Sequence, residues 1–591
     1  MEWFRQIQFI AAVPMPPEAA DRVGTTVNGM WASPTRFPAD EVADRHAKGE
    51  RILFSVPMIA LEPPVYEAEE TAFLLDEVCA DVDGAPAECD WYYWESKPVY
   101  AACIYSDAFR SHLMERCEEG VDSGMDVVNL DEIMTSVGLM DREPGGTGFC
   151  LRCLERFRSA NRDVSARSDD DLRRTLRTDD ALYERYRRFH EDEAFRVMVG
   201  FIEGLRARAT DRNPDFAISA NLAYLGSNVE RFGILWGCCW GPHVDFVMME
   251  NDYRIDRTEP HLLLPRGSFA PWYRLGSSFR GAPTWICPSI TVPRQLAGQP
   301  RTTYYLLMYL EAYAHGGRWG YYWWPGVDVE TRMAATVPVE LETYGRFIRE
   351  HRDLYEDPTS ANEIAILYAD GPISARPSSH LRYLALAQAL EERGYQFDVV
   401  YGGDGRFNAD NLDPGELTRY RTIALPEARN LGAAQRAALE AFVRAGGELV
   451  AFSESPLDPA LVRRAEGDTL DDYWRDHVAK DGDRIVTDVG PPSTSRVEGS
   501  ERGVRVIRYA KGARQVFHLL NHRYEESTDT VEAIDDLRLR IPWRSADARC
   551  MMLVPGEERR LDTRIDDGYL TVDVPTLQAY ALLVLDPSAS A

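Results

Sequence analysis

Short apolar runs alternate with longer amphipathic stretches over roughly the first 350 residues, the pattern of a parallel sheet wrapped by helices. Eight runs stand out: IQFIAAV (7–13), TVNGMW (26–31), RILFSVPMIAL (51–61), MDVVNLDEI (125–133), DFAISANL (215–222), VDFVMMEN (244–251), PTWICPSI (283–290) and GRWGYYWW (317–324). Between them, stretches such as DAFRSHLMERCEEGVDSG and DALYERYRRFHEDEAFRVMVGFIEGLRARA carry apolar residues at helical spacing. Eight strands with intervening helices predict an α/β fold that begins with a (β/α)8 TIM barrel over residues 1–356. The interval 62–124, rich in Pro, Asp, Glu and aromatics, reads as a long loop over the top of that barrel.

The pattern changes near Ala361. EIAILYA, LRYLALAQALEERG, QFDVVYG, RTIALPE, AAQRAALEAFVRAGG and ELVAFSE read as β-α-β-β-α-β, a small doubly wound domain over 361–456. After a linker rich in Asp and Arg, the runs VRVIRYA, RQVFHLLNH, LRLRIPW, ARCMMLV, YLTVDVP and AYALLVLD predict a C-terminal β-sandwich over 483–588. A chain of 591 residues has room for two to four domains at roughly 100–200 residues each.

Charge narrows the partners. A formal net charge of −29 disfavours nucleic acid and anionic membranes. The N-terminal segment MEWFRQIQFIAAVPMPPEAA has one Arg before a short apolar run that turns proline-rich, so it reads as a buried strand rather than a secretion signal. No stretch approaches the ~20 apolar residues of a membrane span. Nine of the ten cysteines precede residue 290 without a compact disulfide framework, which predicts reduced thiols and a cytoplasmic location.

In a barrel, reacting groups sit where strands end at the C-terminal face. The fourth run ends in Asp131–Glu132 and the sixth in Glu250. Hydrolysis of a glycosidic bond needs two carboxyls, one to protonate the leaving group and one to attack or to activate water. Aromatics are plentiful near predicted strand ends and loops: WYYW (91–94), Trp236, Trp240, Trp272, Trp285, Trp319 and YYWW (321–324). Flat rings suit the C–H faces of sugars, and Trp323 and Trp324 are best placed for this, while most of the others are expected to pack in the core.

Six stretches carry a resemblance: CIYSDAFR (103–110), NLDE (129–132), GFCLRCLERFR (148–158), SANL (219–222), VDFVMMENDY (244–253) and AYAHGGRWGYYWW (312–324). With the domain order, the chain resembles the barrel-plus-trimerisation-domain β-galactosidases of glycoside hydrolase family forty-two and related hypothetical glycosyl hydrolases. The resemblance implies Glu132 as general acid/base. Asp131 stands where the family has Asn, so it either tunes Glu132 by like-charge repulsion or is itself the working carboxylate. The family's nucleophile is a Glu on the seventh strand; here that strand offers Cys287 and Pro288, and Glu250 is the nearest substitute. Asn221, Tyr253, Trp323 and Trp324 would line the sugar subsite. A structural zinc is implied through Cys103, Cys150 and Cys153, with Gly148 at the fourth matching position. The second domain resembles the class I amidotransferase-like domain of these enzymes, but no cysteine lies between Cys287 and Cys550, so amide chemistry is excluded there. Its expected role is assembly, with a homo-oligomer (trimer or dimer) implied by the resemblance.

The expected function is glycoside hydrolysis on a carbohydrate substrate, with no cofactor required for catalysis. Two rivals stand beside it. One is a non-catalytic sugar-binding or assembly protein on a degenerate barrel, favoured by the unmatched nucleophile. The other is a transglycosylase or a lyase acting on a sugar acid, whose carboxylate Arg254 and Arg257 would bind.

Overall fold

All eight apolar runs of the first part become strands: β1 (Phe9–Ala11), β2 (Val27–Asn28), β3 (Arg51–Pro57), β4 (Val127–Asp131), β5 (Ala217–Leu222), β6 (Phe246–Asn251), β7 (Thr284–Pro288) and β8 (Arg318–Tyr321). They form a closed barrel in the order β1-β8-β7-β6-β5-β4-β3-β2. The computed structural model describes residues 9–11, 17–24, 27–29, 37–89, 97–133, 135–138, 140–222, 243–251, 270–278, 284–288, 302–321, 327–328, 333–334, 339–356, 359–369, 376–403, 412–465, 470, 482–489, 497–499, 503–525, 527–543, 545 and 547–586, some by backbone alone.

The third run stops short of its expected end. Pro57 has no N–H to continue the ladder, and Met58 turns its N–H to the Asp131 carbonyl at 2.8 Å. Ala60–Leu61 then pairs antiparallel with Tyr100–Ala101, so the interval 62–124 carries structure of its own. That interval includes helix α1 (Asp107–Asp122), capped by the Ser106 hydroxyl, which accepts the Phe109 N–H at 3.0 Å.

Helices α2 (Leu151–Ala160), α3 (Asp180–Thr210), α4 (Ala270–Ser278), α5 (Thr302–Ala314) and α6 (Arg376–Glu392) follow. Among the described residues no helix is long and apolar enough to cross a membrane. Contacts within the chain group into two compact units, Val27–Glu250, and Met1–Thr26 with Asn251–Ala591.

In the first unit, the packing of α1 on β3 separates the two faces of the sheet. A Cβ at Gly120 of α1 would lie 2.2 Å from the Phe54 ring, so Phe54 faces the helix and needs a glycine opposite it. Side chains alternate along a strand, which turns Leu53, Ser55 and Pro57 to the interior. Ser55 pairs with Asn129, Pro57 with Asp131, and Asn129 with Ser219. Both faces of β4 are buried along its whole length, which is why it reads as a near-continuous apolar run.

In the second unit, a parallel sheet is formed by β9 (Ile364–Tyr368), β10 (Phe397–Tyr401), β11 (Thr422–Leu425), β12 (Glu448–Ala451) and β13 (Val462–Arg464), in the order β10-β9-β11-β12-β13. The first four match the expected runs; β13, with two exposed arginines, carries no apolar signature. The C-terminal strands are β14 (Val504–Lys511), β15 (Arg514–Asn521), β16 (Ile534–Pro542), β17 (Arg549–Val554), β18 (Glu557–Leu561), β19 (Thr563–Asp566), β20 (Tyr569–Leu577) and β21 (Tyr580–Asp586). They make one sheet in the order β14-β15-β21-β17-β18 and another in the order β16-β20-β19. A shared core that includes Phe517, Leu539, Leu570 and Leu583 lies between them. The additional strands β18 and β19 are edge strands of polar sequence, invisible to a search for apolar alternation.

Candidate active site and thiol cluster

β4 delivers Asp131 and Glu132 to the end of a fully buried strand, and each remains only 6% exposed. Glu132 has φ +50°, the left-handed region that a non-glycine residue enters at a cost of about 1–2 kcal/mol. Strain of this kind persists where surrounding structure imposes it, and it clusters at functional positions.

Asn221, on the neighbouring β5, donates from Nδ2 to Asp131 Oδ1 at 2.5 Å in a buried hydrogen bond. The Asn221 Oδ1 is also buried and has no hydrogen-bond partner among the described residues. The amide is thus oriented by a carboxylate on one side and presents an acceptor on the other. One layer below, Asn129 donates from Nδ2 to Ser55 Oγ at 3.0 Å and accepts from Ser219 Oγ at 3.0 Å. This chain ties β3, β4 and β5 together beneath the carboxyl groups. No local pattern foretells it, because each member looks like a lone polar interruption of an apolar run.

Glu250 is described by backbone alone, in β6 two residues beyond Met248, which pairs with Asn221. Its side chain, and Tyr253, Trp323 and Trp324, lie outside the described residues, as do Arg254 and Arg257. Trp272 lies in α4, buried, with its ring stacked on His380 at 4.6 Å. It is a core residue.

The same compact unit gathers four cysteines. Cys150 is the N-cap residue of α2 and Cys153 stands in its first turn, their sulfurs 3.5 Å apart. Cys103 Sγ lies 3.9 Å from Cys153 Sγ. The fourth thiol is Cys79, whose sulfur lies within 4.8 Å of those of Cys150 and Cys153. Gly148, the fourth position implied by the resemblance, instead donates its backbone N–H to Cys79 Sγ at 3.1 Å. Cys79 arrives through the irregular segment after β3, where short bridges such as Val78 to Ala102 hold it against Cys103. Only its cysteine identity could have flagged it.

All four thiols are buried. Hydrogen bonding among the four thiols holds the Cys150 thiol far below its ordinary range and pushes Cys103 and Cys153 up, Cys103 chiefly through Cys150 and Cys153 chiefly through Cys103. A tetrahedral ion with metal–sulfur bonds of ~2.3 Å would set its sulfurs about 3.8 Å apart. The observed 3.5 and 3.9 Å bracket that edge, so the residues fit a tetrahedral thiolate-bound metal.

No protein-family model matches the chain, and no curated protein matches it in sequence. Solved structures do match it in fold. The chain is similar to α-L-fucosidase isoenzyme 2 from Paenibacillus thiaminolyticus over 99% of both chains, with a TM-score of 0.66 at 11% identity. It is similar to a cold-adapted β-galactosidase from Rahnella sp. R3 over 98% of both chains, with a TM-score of 0.60 at 13% identity. It also matches a catalytic mutant of a GH42 β-galactosidase from G. stearothermophilus over 96% of this chain and 94% of that one, with a TM-score of 0.59 at 14% identity. The chain therefore shares a whole-length fold with glycoside hydrolases.

Proposed function

We propose that the chain hydrolyses a glycosidic bond, with Glu132 as general acid/base, Glu250 as the second carboxylate and Asp131 as the group that tunes Glu132 and fixes Asn221. The observation that carries this reading is the strained, buried Glu132 at the end of β4, beside the Asp131–Asn221 hydrogen bond. A buried carboxyl at a barrel strand end suits proton delivery to a leaving oxygen. Asn221 would hold a sugar hydroxyl through its open Oδ1, with Tyr253, Trp323 and Trp324 completing the subsite. The likeness in fold to an α-L-fucosidase and to β-galactosidases makes fucosides and galactosides the first substrates to try. Carboxyl separations near ~5 Å give retention and ~6.5–9.5 Å give inversion.

Cys79, Cys103, Cys150 and Cys153 would hold zinc in a structural role, pinning the N-terminus of α2 to the segment after β3. The middle domain, of amidotransferase-like type, would serve assembly of a homo-oligomer in the cytoplasm.

The test is turnover of a panel of nitrophenyl glycosides and natural oligosaccharides, including uronic acids, by the parent, Glu132→Gln and Glu250→Gln. Cleavage lost in both variants is expected. Loss in Glu132→Gln alone would move the second role to another carboxylate, Asp131 first. A second reading, a sugar-binding protein without catalysis, is favoured by β7, whose sequence TWICP has no carboxyl group. Binding without turnover in all three proteins would establish it, and preference for uronic acids would favour the lyase reading.

A further inference from the structure

A second cluster of potential ligands lies in the other compact unit, with no sulfur in it. α5 carries Glu311, and His315 follows one turn later, with the Glu311 carbonyl still accepting the His315 N–H at 3.1 Å. Residues four apart share a helix face. Glu391, near the end of α6, meets them: one ligand-capable atom from each of the three lies within 4.8 Å of the others. All three residues are buried, at 1%, 3% and 4% exposure.

Two charge contacts cross the cluster. His315 Nε2 stands 3.4 Å from Glu391 Oε1, and His522 Nε2 stands 3.7 Å from Glu311 Oε1. Among the described residues, neither ring nitrogen of His315, neither carboxylate oxygen of Glu391, nor Nε2 of His522 makes a hydrogen bond. Leaving a buried polar group unpaired costs about 1–3 kcal/mol, and more when it is charged. Oxygen and nitrogen donors around one cation, with bonds of ~2.0–2.2 Å, stand about 3.3–3.6 Å apart at tetrahedral angles. That is close to the separations seen.

The nearby arginines make their direct contacts with other groups, while their charges also favour the Glu391 carboxylate. Arg274 Nη1 donates to the Phe397 carbonyl at 2.6 Å, with its guanidinium 4.4 Å over the Phe397 ring. Arg505 Nη2 lies 3.7 Å from Glu392 Oε1. The His315 ring is held by Tyr273, parallel to it within 4° at 6.1 Å. A Cβ at Gly317 would fall 2.5 Å from the Tyr273 ring, so the absence of a side chain there admits this packing.

We propose that Glu311, His315 and Glu391 form a site for a divalent transition cation of the manganese or zinc class. Carboxylate donors suit manganese and imidazole suits zinc, whereas thiolates favour softer ions such as zinc. The cation would tie the end of α5 to α6 within one unit.

The experiment strips the full-length protein with a chelator and titrates it with Mn(II), followed by electron paramagnetic resonance. The parent and Cys79→Ser are expected to bind one Mn(II) per chain, with hyperfine coupling to an imidazole nitrogen. Glu391→Gln and His315→Gln are expected to bind at least tenfold more weakly while keeping the parent's circular dichroism. No stoichiometric Mn(II) binding by the parent would overturn the proposal, as would binding without nitrogen coupling. Undiminished binding in folded Glu391→Gln would do the same. If neither variant folds, the parent's stoichiometry and nitrogen coupling decide the matter.

Discussion

Replacing Asn221 with aspartate puts two carboxyl groups where an amide and a carboxylate now meet at 2.5 Å inside the barrel. Two full charges at that distance would repel by about 7 kcal/mol at an effective dielectric constant of ~20. The native state avoids much of this by keeping one proton between them, at a cost set by how far the pH lies above an ordinary carboxyl pKa. Against a reference of about 3.9, that cost is about 4 kcal/mol at pH 7 and about 1.5 kcal/mol at pH 5. The sign follows from proton binding: the folded variant holds a proton that the unfolded chain releases above pH ~4, so its stability falls as pH rises, by about 1.4 kcal/mol per unit. Melting temperatures of parent and Asn221→Asp in moderate urea, taken at pH 5, 6, 7 and 8, measure the difference, and the parent's own pH dependence cancels. A gap that widens steadily with pH is expected. An equal gap at pH 5 and pH 8, or none at pH 8, would refute the buried pairing.

Three further outcomes follow from the packing and the thiols. Burial holds His380 down at about 3, so its contribution to stability is complete above pH ~6.5 and is lost as pH falls toward 3. At pH 5 this group alone costs the parent about 2 kcal/mol relative to neutral pH, and His380→Gln is expected to show a correspondingly flatter acid limb in thermal melts. Gly120→Ala gains about 1 kcal/mol in helix propensity but forces a methyl group against Phe54. Overpacking of about 1–3 kcal/mol should win, giving net destabilisation that Phe54→Leu in the same chain relieves; a stabilised Gly120→Ala would contradict the packing. Cys79→Ser is expected to lose one equivalent of zinc per chain in metal analysis, whereas Cys89→Ser, outside the cluster, should keep it.

The barrel strands were legible because both faces of strands such as β4 are buried, which leaves uninterrupted apolar runs. Edge strands such as β18, with four exposed charged residues in a row, follow no such rule and carry no apolar signature. Glu132 and Asp131 could be named from their place after an apolar run. That Asn221 would bond Asp131 depends on the register of β4 against β5, which no local pattern encodes. Cys150 and Cys153 announced themselves by their spacing. Cys79 did not, because it reaches them through an irregular path 71 residues upstream of Cys150.

The Ser55–Asn129–Ser219 chain bears on how the barrel chooses its closure. An apolar strand can slide by two residues against its neighbour and still present the same face inward. With only Val, Leu and Ile inside, several such alignments would compete. A two-residue slip of β3 would instead set Asn129 opposite Leu53 or Pro57, leaving a fully buried amide without its serine partner. At about 1–3 kcal/mol for each stranded polar group, the misaligned forms are rejected one by one. Three small polar side chains thus act as a latch on strand stagger, and the stagger they select is the one that brings Asp131 level with Pro57.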